Sequence, residues 1–188
     1  MGRPVIVLFE DSRSPAAKTA LDDLLISCVA DTLDVEDRQA LRRCLEVRLC
    51  KGNHNLLDDC RHVDDIARRG ELVVAVFDDD KVRRLLSLPA RAPQNQVEAA
   101  IKKGCPNPAG LEVVLLDKNM ETLLRAARDC HVQATDEIWT SAIQRKRLNA
   151  RDQILKKLAF GARTFRDCVR KRLRSFEQLV TMAAQTIG

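Results

Sequence analysis

The stretch that decides the fold is Glu71–Leu86, ELVVAVFDDDKVRRLL. Leu72 to Val76 is an unbroken run of apolar or small residues, mostly β-branched, that leads into Phe77. Such a run reads as a buried strand, because no polar position alternates with the apolar ones. Asp78, Asp79 and Asp80 then crowd three carboxylates at its tip. Like charges at that spacing repel, and each loses solvation where the tip is partly buried. A bound divalent cation offsets such repulsion; a helix N-terminus or a solvated turn also tolerates it. KVRRLLSL after the aspartates reads as a short helix stopped by Pro89.

Outward from this stretch the same pattern repeats. PVIVLFE (residues 4–10), LEVRL (45–49) and LEVVLLD (111–117) read as three further strands, separated by amphipathic segments. Helices are expected over about 15–30, with Ser14 as cap and Pro15 at its first position, and over about 35–44. LLDDCRHVDDIARRG reads as one helix, capped by Asn53 or Asn55 and ended by Gly70. ARAPQNQ is linker-like, VEAAIKKG is a helix ending at Gly104, and NMETLLRAARDCH is a helix capped by Asn119. The order βαβαβαβα predicts an α/β fold: a four-stranded, mostly parallel sheet with right-handed crossovers, flanked by helices. From about Thr135 the pattern becomes helical without strands, so the division expected is an α/β domain over 1–134 and a basic helical extension over 135–188.

Composition bounds the class. Hydrophobic content of 45% with 31% charged residues fits a folded chain and not a disordered one. No apolar run approaches the roughly 20 residues of a membrane helix, and MGRPVIVLFED reads as a first strand, which predicts a cytoplasmic protein and no membrane partner. Seven scattered cysteines fit buried thiols in a reducing compartment. Cys50, His54, Cys60 and His62 cluster locally, but their spacing matches no standard zinc pattern. The window Arg145–Arg174 carries a net charge of +10, leaving −5 for the rest of the chain. That asymmetry sets a basic appendage on a mildly acidic core.

Glu10 and Asp11 end the first strand as the aspartates end the third. Were those strands parallel neighbours, two acidic tips would meet at the carboxyl edge of the sheet, where α/β proteins collect their chemistry. Side chains alternate along a strand, so Asp78 and Asp80 are expected to face one way and Asp79 the other. Glu10, Asp78 and Asp80 then form an oxygen-only set suited to magnesium or manganese.

A glutamate ending the first strand (Phe9–Glu10), an acidic motif ending a later one (Phe77–Asp80) and this βαβ order resemble the TOPRIM domain of topoisomerases, primases and OLD-type nucleases. The resemblance covers about residues 4–131. Glu121 in NMETLL is similar to an extra acidic position of small stand-alone relatives, akin to OLD-type and RloB-like nucleases, some of which accompany ATPases in phage-defence loci. The family commonly places glycine directly after the glutamate; here Asp11 and Ser12 stand there. The resemblance implies phosphodiester hydrolysis of nucleic acid, with Asp78 and Asp80 holding magnesium and Glu10 as ligand or general base. Glu121 would complete a second metal position, and Lys81 and Lys118 would neutralise a phosphate. An ATPase partner and a role in antiviral defence come with the same resemblance.

In FGARTFRDCVRKRLRSFEQLV, Phe165, Val169, Leu173, Phe176 and Val180 form an apolar stripe at helical spacing. Arg163, Arg166, Arg170 and Arg174 form a second stripe, fit to follow a nucleic-acid backbone or to dock an acidic partner. Trp139 reads as a helix-packing residue. Two rival readings remain: an inactive TOPRIM-like binding or scaffold subunit, and a receiver-like phosphoacceptor, which would need a fifth strand bearing a lysine. Ser12 and Ser14 lie near Glu10, but no histidine is placed to activate them.

Overall fold

A computed structural model of the chain describes residues 3–11, 20–66, 71–116 and 120–188. Ser12, Ser14, Pro15, Gly70, Lys118 and Asn119 lie outside the described residues, as does the side chain of Asp11.

The four expected strands form: β1 (Val5–Asp11), β2 (Leu45–Lys51), β3 (Leu72–Asp78) and β4 (Leu111–Leu116). All pair in parallel, in the order β2-β1-β3-β4. The fold is therefore α/β, with the strand of Glu10 and the strand of the aspartates side by side. Between β1 and β3 the register runs from Val5 opposite Leu72 to Phe9 opposite Val76, so Glu10 follows the last β1–β3 pair by one residue and Asp78 by two, while Glu10 still pairs with Cys50 of β2 and Asp78 with Leu116 of β4. β3 is buried at all seven positions, which explains its unbroken apolar run.

The helices are α1 (Ala20–Leu33), α2 (Arg38–Cys44), α3 (Asn53–Arg61), α4 (Val63–Ile66), α5 (Asp79–Leu85), α6 (Gln94–Lys102), α7 (Met120–Asp129), α8 (Asp136–Ile143), α9 (Leu148–Phe160), α10 (Arg163–Arg172) and α11 (Arg174–Ile187). Two differ from expectation. The segment after Asn53 is two helices, because the backbone at His62 leaves the helical region. Gly52, with φ +90, stands before α3 in place of an asparagine cap; a left-handed turn of that kind favours a residue without a Cβ. The segment from Arg163 is also two helices, since Leu173 is extended (φ −121, ψ 91) and ends α10.

The described residues fall into two compact units: 3–11, 43–66, 71–116 and 186–188 in one, 20–42 and 120–185 in the other. Both α1 and α7 thus join the helical unit, a division that runs differently from a cut after residue 134. In the sheet unit, alternate residues of the strands (Ile6 and Leu8; Val73, Ala75 and Phe77; Leu111 and Val113) pack with Leu56, Val82, Val97 and Ile101 of α3, α5 and α6. The period of two puts one residue in every pair on this face. Full burial of each Val, Leu, Ile or Phe among them contributes roughly 1.5–3 kcal/mol.

In the helical unit, α1 runs along α9, with α7 and α8 also against α9. Leu24, Leu25, Ile154 and Leu158 are fully buried there, and Trp139 of α8 is buried as expected. Thr135 caps α8 by accepting from the Ile138 N–H. Cys130 and Cys168 are joined in a disulfide. This corrects the expectation of seven free thiols: the two cysteines come together across 38 residues of chain, a proximity that their spacing does not reveal. Cys28, Cys50, Cys60 and Cys105 are free and buried; burial raises the Cys28 and Cys60 thiols to about 12, which leaves them protonated and unreactive.

Candidate active site

β3 ends at Asp78 and α5 begins at once, so Asp78 occupies the N-cap position (φ −69, ψ 116). An aspartate there usually accepts a backbone N–H of the helix it opens. Asp78 makes no such side-chain cap bond. Its carboxylate instead meets the Lys81 ammonium, with Nζ 2.7 Å from Oδ2. The same Nζ lies 3.4 Å from Glu10 Oε2 on the neighbouring strand. Two carboxylates far apart in sequence therefore share one cation at the carboxyl edge of the sheet.

Asp78 is buried, Glu10 is partly exposed and the Lys81 side chain is 44% exposed. Burial by itself would lower the Lys81 pKa, but the hydrogen bond and charge of Asp78, joined by those of Glu10, outweigh it and hold the lysine above its ordinary range. Around the pair, Cys50 lies opposite Glu10 on β2 and donates its thiol to Asp59 Oδ2 at 3.0 Å. Burial first, then this bond, pushes that thiol upward, so Cys50 is no nucleophile.

The other two aspartates are spent differently. The chain is already helical at Asp79, so strand alternation stops at Asp78 and does not carry Asp80 to the same side. Asp79 accepts from Arg83 Nε at 2.7 Å, and Arg83, itself buried, also donates to the Ala92 carbonyl of the loop after α5. Asp79 is thus a structural acid that holds that loop. Asp80 is exposed and pairs with Arg84 Nη2 at 2.8 Å. Both acids fall in the first turn of α5, where the helix dipole favours them.

Glu121 belongs to the helical unit, near the start of α7, with Lys146 Nζ at 2.8 Å and Arg151 Nη2 at 3.9 Å. Lys118 lies outside the described residues. Cys50, His54, Cys60 and His62 do not gather: both thiols are buried, both imidazoles are exposed, and His62 Nδ1 meets the Asp58 carbonyl at 2.9 Å. Among the described residues no three His, Cys, Asp or Glu side chains are grouped to hold a metal ion.

The expected arginine stripe does not exist as one surface. Arg166 is 3% exposed; its Nε and Nη2 grip both oxygens of Asp31 in α1 at 2.5 and 3.0 Å, and its Nη1 donates to the carbonyls of Leu158, Ala159 and Gly161. It satisfies the open carbonyl end of α9 and is not available to a phosphate. Arg170 forms a two-bond pair with Glu177, at 2.6 and 3.0 Å. The Arg170 hydrogen bond, ahead of an opposing burial effect, holds the Glu177 carboxyl below its usual range. Arg163 is exposed and lies 3.5 Å from Asp34. Arg174 is exposed too but opens α11, so the break at Leu173 takes it out of register with the other three.

The sequence reading missed Asp31, Arg83 and Glu177 as partners. For Glu177 and Arg83 a signal was present in the chain, since Arg83 follows Asp79 at i+4 and Arg170 precedes Glu177 by seven residues. For Asp31, 135 residues from Arg166, there was none.

The fold and the acid pair define an α/β protein with a carboxylate site at the carboxyl edge of a parallel sheet. No family model matches the chain, and no curated protein matches it. Among solved structures it is similar to the C-terminal region of the Xanthomonas campestris pv. campestris OLD protein, with a TM-score of 0.41 and 12% identity over 99% of this chain and 98% of that one. It is also similar to the C-terminal region of the Burkholderia pseudomallei OLD protein, with a TM-score of 0.38 and 14% identity over 95% and 98%. No helix among the described residues is long and apolar enough to cross a membrane.

Proposed function

We propose that the chain is a TOPRIM-type nuclease that hydrolyses phosphodiester bonds of nucleic acid with magnesium or manganese, and that Glu10 and Asp78 are its essential carboxylates. The observation that carries this reading is the convergence of these two side chains on a single cation, from adjacent parallel strands, with Asp78 withheld from the capping bond its position offers. The donor set fits such an ion: magnesium keeps several waters and is held by one or two carboxylates together with substrate phosphate. When bound, the ion supplies Lewis-acid polarisation of the phosphate and of a water.

The chain's own residues do the rest. Glu10, the more exposed carboxylate, accepts the proton of the attacking water. Asp78, buried and fixed by the strand end, would hold the ion. Lys81 offers its ammonium to a phosphate oxygen. Asp80 and Glu121 enter this reading only as the further acids that the resemblance implies. Arg163 and Arg174, both exposed, would bind nucleic acid or an acidic partner, and an ATPase subunit in an antiviral system is the partner the resemblance implies.

Single-strand and duplex DNA and RNA should be cleaved with magnesium or manganese, and Glu10→Gln or Asp78→Asn should lower that rate by roughly a hundredfold or more. Cleavage undiminished in both variants overturns the nuclease reading. One observation favours a second reading, a binding subunit without catalysis: each of Asp78, Asp80 and Glu121 is already paired with a basic side chain of the same chain. In that case the variants bind nucleic acid or partner as the unaltered chain does, and no cleavage is seen in any of them.

A further inference from the structure

Lys81 stands at the point where Glu10 and Asp78 converge. A divalent ion shared by the same two carboxylates needs that point, and an ammonium and a metal ion cannot both hold it. The lysine follows Asp78 by three residues, in the first turn of α5, and carries its charge on a flexible stem that is 44% exposed. Its ammonium can swing out through side-chain rotation alone, with α5 in place.

Where it goes is limited by the neighbouring charges. Asp79 is matched with Arg83, and Asp80 with Arg84, so the rest of the acidic run offers the displaced ammonium no unmatched carboxylate. Formal charge makes the same point. Two carboxylates and one ammonium carry a single net negative charge; a divalent ion turns this into a single positive charge, which one phosphodiester cancels.

We propose that Lys81 is a displaceable internal cation: it fills the Glu10–Asp78 site of the free protein and moves onto the phosphate of a nucleic-acid ligand when a divalent ion takes the carboxylates. Metal and phosphate then bind cooperatively at one site. This deepens the nuclease reading and rests on its metal site. The competition is modest, because ion pairs with an exposed lysine are weak; removing the ammonium should tighten metal binding by about tenfold. Coupling is reciprocal, so the ligand phosphate should tighten the metal as the metal tightens the ligand.

The test is Mn²⁺ binding to the full chain, read by the loss of free-ion paramagnetic resonance, with no cleavage involved. The unaltered chain is compared with Lys81→Met and Lys81→Gln, each with and without a short phosphorothioate DNA, and with the same DNA bearing uncharged methylphosphonate links. Both variants are expected to bind Mn²⁺ about tenfold tighter than the unaltered chain. The charged DNA should tighten Mn²⁺ binding to the unaltered chain, should do so much less in the variants, and the uncharged DNA should have no effect. Adding Glu10→Gln to Lys81→Met should remove the gain. Equal or weaker binding in both Lys81 variants overturns the proposal and leaves the metal site standing; an equal effect of charged DNA with and without Lys81 overturns the coupling. Failure of every form to bind Mn²⁺ removes both this proposal and the metal-dependent reading.

Discussion

Lys81 in the sheet unit and Arg166 in the helical unit are both cations seated on aspartate, yet they are built for opposite purposes. Lys81 reaches two carboxylates, Glu10 and Asp78, from an exposed, flexible stem. Arg166 is buried and reaches one carboxylate with two bonds and three backbone carbonyls with a third nitrogen. The first arrangement can be undone by a competing ion, because the ammonium leaves on an exposed stem into water and the ion takes its place on the buried Asp78. The second is harder to undo, because the guanidinium is itself buried and its loss would take the partner from the buried carbonyls of Leu158 and Ala159 as well as from Asp31. A planar guanidinium suits the fixed network, and a point-charge ammonium suits the exchangeable one. Charge alone, which marked both residues in the sequence, does not separate them.

The comparison breaks most visibly at Arg166. Arg166→Ala should lower unfolding stability by about 3–5 kcal/mol, since it strands Asp31 and the carbonyl end of α9. Urea unfolding measures this, and nucleic-acid affinity of the folded fraction should stay as it was. A stable variant that had lost nucleic-acid affinity would return Arg166 to an interface.

A smaller effect belongs to the Arg170–Glu177 pair, which lies between the two extremes in exposure. Because the folded Glu177 pKa is below its unfolded value, its contribution is present above that unfolded value, near 4.5, and is lost as pH falls through the folded one. The stability gap between the unaltered chain and Glu177→Gln should therefore be at most about 1 kcal/mol near neutrality and should close in acid. A gap constant down to the acid transition would mean that the carboxylate charge contributes nothing.

The least effect is expected at Asp80, whose pair with Arg84 is exposed on both sides. Asp80→Asn should change stability by less than about 0.5 kcal/mol. Mn²⁺ titration of the same variant sharpens the site: unchanged affinity confines the ion to Glu10 and Asp78, and a tenfold loss would bring Asp80 in as a third ligand.

Much of this was legible in the chain. The four strands were readable within two residues at each end, because buried strands need continuous apolar runs and turns need their punctuation. The pairing of acidic tips was readable as a condition, that the first and third strands be neighbours. The division of labour within Asp78–Asp80 was not. Alternation along a strand groups Asp78 with Asp80, but the helix starts at Asp79 and the periodicity changes there. The arginine stripe failed in the same way, since helical spacing assumes an unbroken helix and Leu173 interrupts it. Periodic arguments hold inside an element and lapse at its ends, and this site is built at an end.

The sequence by itself determined which segments are strands, that they alternate with helices, and that acids gather where strands stop. Those properties follow from local covalent geometry and from the free energy of burying apolar side chains, which each segment carries with it. Only the tertiary structure decided that β1 and β3 are adjacent, that Glu10 and Asp78 share Lys81, and that Arg166 is buried on Asp31. These depend on strand order and on contacts across 71 and 135 residues, and no local pattern encodes which of many like-charged side chains will meet.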